Sequence, residues 1–280
     1  MTLNDIYHAI DPVALSLGPL QIRWYGLAYV AGFICAFLVI AKLSQRWKIR
    51  IDDDAFFTVV FCVIFGVILG GRLGYVLVYG DGYYLQHPEK ILAFNEGGMS
   101  FHGGLVGVII GGVIAAKITK IPFLTLADMG VVGVPIGLFF GRCANFINGE
   151  LWGAPTDMPW GVVFGGAAGT MPRHPSQLYE ALLEGVVLFI ILFALSRKTP
   201  ARPRGTFFGT FLLLYGLFRF TIEFIRQPDA QIGYLLGTHW FTMGQALSIP
   251  LMAAGVVFLI YAWKTKKPQM GLPDSEISQS

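Results

Sequence analysis

The chain is expected to be all-α, a polytopic membrane helix bundle of seven transmembrane helices, and three observations predict this. Hydrophobic residues fill 55% of its 280 positions and charged residues only 13%, with a mean hydropathy of +0.62, too apolar for an ordinary soluble domain. Apolar runs long enough to cross a bilayer, about 17 to 25 residues each, fall at 24–43, 55–79, 100–118, 124–143, 178–196, 206–225 and 242–263. Basic residues beside these runs are unevenly shared. Lys42, Arg46, Lys48, Arg50, Lys117, Lys120, Arg197, Lys198, Arg202, Arg204, Lys264, Lys266 and Lys267 fall on one side, against Arg23, Lys90 and Arg173 on the other. That bias puts the N-terminus outside and the C-terminus in the cytoplasm. The net charge of +3 is then a topology signal, and nucleic-acid binding has no support.

Taken in order, residues 1–20 mix polar and apolar types, with Pro12, Gly18 and Pro19 as breakers, and are expected at the outer membrane interface. They carry Asp5 and Asp11, no Lys or Arg and no apolar core of signal-peptide length, so the first span is expected to act as its own insertion signal. That span opens IRWYG, where Trp24 and Tyr25 suit headgroup depth. Glycines recur four apart in span two (66, 70, 74), span three (103, 107, 111) and span four (133, 137, 141), a spacing that lets helix backbones approach closely. Arg72, inside the first of these ladders, needs a partner or water, and Asp128 in span four is one candidate. Span three begins MSFHGG, setting His102 at the outer boundary with two glycines beside it. Outer segments at about 79–98 and 154–173 link the spans, the second being a loop or lid candidate. RHPSQLYE then starts span five, with His174 or Ser176 as a cap and Glu180 near the helix start, where the dipole favours an anion. Residues 1–264 form a single membrane-embedded catalytic domain in this reading, and 265–280 a polar cytoplasmic tail without fixed structure.

The chemistry concentrates at Gly141 to Gly153, GRCANFINGELWG, at the end of span four. Ionisable groups at lipid depth cost a few kcal/mol each, roughly 2.5 to 3.5 on insertion scales, so their clustering is a functional signal. Arg142 and Asn145 share a helical face, and Glu150 follows a glycine where the chain can fold back toward Arg142. Span six ends LYGLFRFTIEFIRQPD, with Arg219, Glu223 and Arg226 on one face and Tyr215 a turn earlier. One carboxylate cannot neutralise two arginines, so a positive charge is left for an anion. A phospholipid headgroup is the anion a membrane supplies, and guanidiniums grip phosphate bidentately. No nucleotide loop or metal-ligand spacing competes, and no cofactor or metal is implied. Cys35, Cys62 and Cys143 read as small core residues, Cys143 with a weaker alternative as a nucleophile beside Arg142.

These motifs carry a resemblance. LGPLQIRWYG at 17–26, GGMSFHGGLVG at 97–107, GRCANFINGELWG at 141–153, RHPSQLYE at 173–180, and FRFTIEFIRQPD followed by MGQALSIP occur in the order found in the bacterial prolipoprotein diacylglyceryl transferases, over nearly the whole chain. The resemblance implies a seven-helix inner-membrane enzyme, its active site toward the periplasmic half. It would move the diacylglyceryl group of phosphatidylglycerol to the thiol of a lipobox cysteine in a preprolipoprotein, forming a thioether and releasing glycerol phosphate, the first step of lipoprotein maturation. The family's functional positions fall on Tyr25, His102, Arg142, Asn145, Glu150, Gly153, Arg219 and Glu223. His102 is expected as the base, Arg142 and Arg219 on the phosphate, Glu150 and Glu223 orienting them, and Asn145, Tyr25 and Gly153 on the lipid. If His102 is not the base, a carboxylate or water takes its place. The rival classes are a transporter, for which intramembrane charges are equally typical, and another lipid-headgroup enzyme such as a hydrolase. No internal repeat favours the first, and neither a metal cluster nor a Ser/His pair favours the second.

Overall fold

The computed structural model describes residues 2–18, 20–80, 82–93, 97–228 and 233–273, with only the backbone of Leu17, Leu20, Tyr29, Tyr79, Phe101 and His102. Helices dominate: α1 Leu3–Ala9, α2 Trp24–Trp47, α3 Asp53–Tyr79, the short α4 Tyr83–Gln86, α5 Phe101–Thr119, α6 Phe123–Asn148, α7 Ser176–Glu180, α8 Leu188–Ser196, α9 Thr206–Ile222 and α10 Met243–Thr265. A π-helical stretch, Ala181–Val187, joins α7 to α8 without a break. Trp24–Trp47, Asp53–Val78, Phe123–Asn148, Ser176–Ser196 and Met243–Thr265 are long and apolar enough to cross a membrane, and Gly103–Thr119 and Thr206–Ile222 are shorter apolar helices. This is a multi-pass membrane protein. Large apolar side chains such as Phe33, Phe57, Phe61 and Trp263 stand exposed along these helices, as lipid-facing surfaces require.

One departure from the all-α expectation lies near the N-terminus, where β1 Val13–Leu17 pairs antiparallel with β2 Leu20–Arg23. Gly18, with φ +61°, follows β1, so one residue read as a breaker helps to turn a hairpin.

The chain divides into two compact units, residues 1–46 with 128–268 and residues 47–127 with 269–280. The second unit is built on α3 against α5, and its glycine ladders do what their spacing predicts. A Cβ added at Gly107 would overlap the Gly66 carbonyl oxygen, and one at Gly70 would overlap that of Gly103. Neither helix tolerates a side chain at the crossing. Among the described residues Arg72, only 1% exposed, pairs with no carboxylate. Its guanidinium donates to the carbonyls of Lys90 and Ile91, both at 2.7 Å, and to those of Gly97 and Gly98, and so holds the connection after α4. Part of the tail also has fixed contacts, contrary to expectation. The Leu272 N–H donates to the Arg50 carbonyl at 2.9 Å and that of Met270 to Thr125 Oγ1 at 3.4 Å. Residues 274–280 lie outside the described residues.

In the first unit the third glycine ladder is only partly used. Gly133 meets Ala36 of α2 and Gly137 meets Gly32, where a Cβ on Gly32 would lie 3.2 Å from the Gly137 Cα, whereas a Cβ on Gly141 would find open space. Gly185 in the π stretch sits against Phe139 of α6, and Gly209 and Gly216 bring α9 against α10. Asp128, the partner anticipated for Arg72, is fully buried at the start of α9. Its two oxygens accept the backbone N–H groups of Gly205 and Phe208, each at 2.7 Å. Gly205 has no side chain with which to cap that helix, so a carboxylate from α6 meets the positive end of the dipole instead. The connection 154–173 folds over the end of α6: Phe146, Val162, Phe164 and Ala168 form a small core against Leu3 and Tyr7 of α1. Asn4 Oδ1 accepts the Val163 N–H at 2.9 Å, and burial pushes the Tyr7 phenol above its ordinary pKa.

Candidate functional site

Three strands of backbone meet just beyond the ends of α6 and α9 and ahead of α7. The Gly153 N–H donates to the His174 carbonyl at 2.8 Å, the Ala154 N–H to Ile225 at 2.9 Å, and the His174 N–H to Ala154 at 3.0 Å. Gly153 is the middle of this ladder, and a Cβ there would lie 2.7 Å from both the His174 and the Ile225 carbonyl oxygens. Only glycine lets the three segments close up. Ser176 Oγ donates to the Leu151 carbonyl at 3.0 Å and Gln177 Nε2 to that of Glu150. Ser176 is therefore committed to the loop, and the helix N-cap is Pro175 with no side-chain cap, unlike the cap expected from Ser176 or His174.

This ladder brings the inward faces of α6, α7 and α9 together, and with them a cluster of three guanidiniums and three carboxylates. Arg142 Nε lies 2.6 Å from Glu180 Oε2, and its Nη2 3.5 Å from Glu184 Oε2. Arg219 reaches Glu180 Oε2 at 3.4 Å and Glu223 Oε1 at 2.5 Å. Arg226 reaches Glu180 Oε1 at 3.7 Å and Glu223 Oε1 at 3.2 Å. The carboxylates are shut in, with side-chain exposures of 0 to 3%, while the arginines keep 11 to 16%. An anion arriving from outside the cluster thus meets guanidinium first. Glu223 is fixed further by Thr242 Oγ1, which donates to its Oε2 at 2.5 Å while capping α10. A Cβ on Gly244 would collide with its carboxyl group.

The anticipated residues fare differently. Arg142, Arg219 and Glu223 come together. Asn145 lies half-buried one turn beyond Arg142, and Tyr25, half-buried, opens α2. His102 falls in the first turn of α5, but its side chain is outside the described residues. Glu150 does not fold back to Arg142. It is exposed, accepting from Asn148 Nδ2 at 3.0 Å, because Glu180 and Glu184 already fill the space beside that guanidinium. The spare positive charge expected at span six is balanced instead, since α7 and the π stretch supply further carboxylates. Helix α9 ends at Ile222, so Arg226 acts from the following turn rather than from the same helix. The carboxylate pair of Glu180 and Glu184 was visible as two acidic residues one turn apart in an apolar run, each costly unless paired. The roles of Gln177, Thr242 and Gly244 had no such signal. Beside the cluster, Trp160 Nε1 donates to the Tyr179 hydroxyl at 2.6 Å, and that hydroxyl lies 3.2 Å from His174 Nδ1. Burial holds the His174 imidazole below its ordinary pKa, favouring its neutral form.

A multi-pass helix bundle with arginines held on buried carboxylates at the edge of its apolar helices defines a class, membrane-embedded proteins that handle an anionic group at lipid depth. The comparisons then fix the family. Residues 12–261 match the family model described as prolipoprotein diacylglyceryl transferase, and the chain belongs to that family. Among curated proteins it is 52% identical to the phosphatidylglycerol–prolipoprotein diacylglyceryl transferase of Geobacter sulfurreducens, over 92% of this chain and 97% of that one. It is 51% identical to the protein of the same name from Oleidesulfovibrio alaskensis, over 93% and 96%. To that of Rhodopseudomonas palustris it is 46% identical, over 96% of both chains.

Proposed function

We propose that the protein transfers the diacylglyceryl group of phosphatidylglycerol to the thiol of the lipobox cysteine in prolipoproteins, releasing glycerol phosphate. The observation that carries this reading is the arrangement of Arg142, Arg219 and Arg226, exposed at their edge and held from behind by Glu180, Glu184 and Glu223. In the reaction a thiolate attacks the sp3 carbon of the glyceryl group, a C–S bond forms, and the C–O bond to phosphate breaks with its electron pair on oxygen. The phosphate passes from one negative charge toward two. Guanidiniums fixed beside it bind that transition state more tightly than the ground state. Arg142 and Arg219 are assigned to the phosphate and Glu223 to orienting Arg219. Asn145 and Tyr25 are assigned hydrogen bonds to the headgroup. Gly153 keeps the backbone ladder closed, and Glu150 contributes through its carbonyl, which holds Gln177 one turn from Glu180. His102 is assigned the thiol proton, since a thiol of pKa about 8.5 needs a base.

The finer topology belongs to the same reading: seven crossings of the bacterial inner membrane, N-terminus outside, C-terminus cytoplasmic, and the site toward the periplasmic half. The basic-residue bias and the seven apolar helices support it. The reaction is tested with purified protein in detergent, phosphatidylglycerol and a lipobox peptide with one cysteine, following peptide mass and glycerol phosphate. A diacylglyceryl mass gain that needs both the cysteine and Arg142 supports the assignment. Glycerol phosphate without peptide modification would indicate a hydrolase, and folded protein with no reaction would restore the transporter reading.

A further inference from the structure

We propose that Glu180 is a charge-balancing positioning residue that keeps the arginine cluster at zero formal charge and thereby lets the dianionic product leave. The inference rests on the transferase reading of the same site. Glu180 is fully buried, and among the described ion pairs it is the carboxylate shared by all three arginines: Oε2 by Arg142 and Arg219, Oε1 by Arg226. Within the same described set, Glu184 pairs with Arg142, and Glu223 with Arg219 and Arg226. The position of Glu180 is set from one turn away, where Ser176 and Gln177 are tied to the carbonyls of Leu151 and Glu150.

The contacts are unequal in a way that suits exchange. Glu180 is close to Arg142, at 2.6 Å, but stands off from Arg219 and Arg226 at 3.4 and 3.7 Å. Arg219 Nη1 and Arg226 Nε, the atoms facing it, are buried donors without a hydrogen bond. Phosphate oxygens can take the donors on the accessible edges of the guanidiniums, which keep 11 to 16% exposure, while the carboxylate behind them cancels the charge they would otherwise present. A phosphodiester monoanion then enters a cluster with no net charge and is held by directed hydrogen bonds. Without Glu180 the six groups would become five with one positive charge in excess, in a setting where screening is weak. That excess would favour the dianion most of all and retain glycerol phosphate after transfer.

The test compares wild type, Glu180→Gln, and the double variant Glu180→Gln with Arg226→Gln, which restores two arginines against two carboxylates. For each, kcat, KM for phosphatidylglycerol and the inhibition constant of glycerol 1-phosphate are measured in detergent at fixed salt. In Glu180→Gln the inhibition constant should fall about tenfold and KM less, with kcat reduced. In the double variant the inhibition constant should return toward wild type. A KM that rises while the inhibition constant is unchanged, or a double variant no better than the single one, would make Glu180 a scaffold and overturn the proposal. Should Glu180→Gln fail to fold, as uncompensated buried charge often causes, the balanced double variant decides alone. A wild-type inhibition constant then supports the proposal, and a tenfold change in either direction sinks it. Inactive wild type would refute the transferase reading, whereas active wild type with unmoved variants refutes only the role of Glu180.

Discussion

At the scale of single residues, position is enforced by neighbours that leave no room. Gly153→Ala would drive a methyl into two carbonyl oxygens at 2.7 Å, so the ladder joining residues 153, 174 and 225 must open. A loss of about 1 to 3 kcal/mol of stability is expected, the usual cost of overpacking, together with loss of activity. Thermal unfolding in detergent beside the transfer assay checks it. His174 offers a pH dependence whose sign follows from its depressed pKa. The Tyr179 hydroxyl accepts from Trp160 and lies 3.2 Å from Nδ1, and burial of the ring is what favours its neutral form. Stability from this group is therefore complete above the ordinary histidine pKa, about 6.5, and is lost as pH falls through the lower folded value. Wild type should lose more melting temperature than His174→Gln between about pH 7.5 and pH 5.5, and equal losses would exclude the histidine as the cause. Arg219 with Glu223 was legible in the sequence because a pair four apart meets on its own helix. The partners of Arg142 were not, since Glu180 and Glu184 arrive from another helix and nothing local links them. Glu150, nearer along the chain, was the misleading choice.

At the scale of elements, two helix pairs are held by absence of side chains and one helix end by a borrowed carboxylate. Gly107→Leu would place a branched side chain where even a Cβ overlaps the opposing backbone. It should abolish the α3–α5 crossing, read as loss of the folded, monodisperse protein on gel filtration. Asp128→Asn keeps size but gives one oxygen where two backbone donors, those of Gly205 and Phe208, now find one each. A cost of about 1 to 3 kcal/mol is expected for the stranded N–H, with the melting temperature as the measure. The glycine period announced the first contact plainly. It misjudged Gly141, whose Cβ position is open, because spacing alone does not say which face meets a neighbour. The hairpin of β1 and β2 escaped for a related reason, its breaker Gly18 being read as punctuation rather than as part of a turn.

At the scale of the molecule, all seven apolar runs became helices near their expected limits, since a bilayer-length apolar stretch has few other ways to satisfy its backbone. The orientation expected from thirteen basic residues against three predicts that a fluorescent protein fused at the C-terminus will glow and a periplasmic phosphatase fused there will be inactive. The reverse pattern would invert the topology. The π-wound stretch Ala181–Val187 has a consequence for how such a chain can change length. A wider turn holds a residue that an ordinary turn would not. Deleting one residue there would let the helix close into regular α form with Ser176–Glu180 still facing much as it does, whereas rewinding the same seven residues as α-helix would swing that segment by about one residue's turn, ~100°, around its axis. In the second case Glu180 would leave the arginines although every residue of the cluster survived. The winding between the HPSQLYE segment and the apolar run below it is thus as binding a constraint as residue identity: a one-residue gap there can be absorbed, and loss of the wide turn without it would act as an active-site lesion.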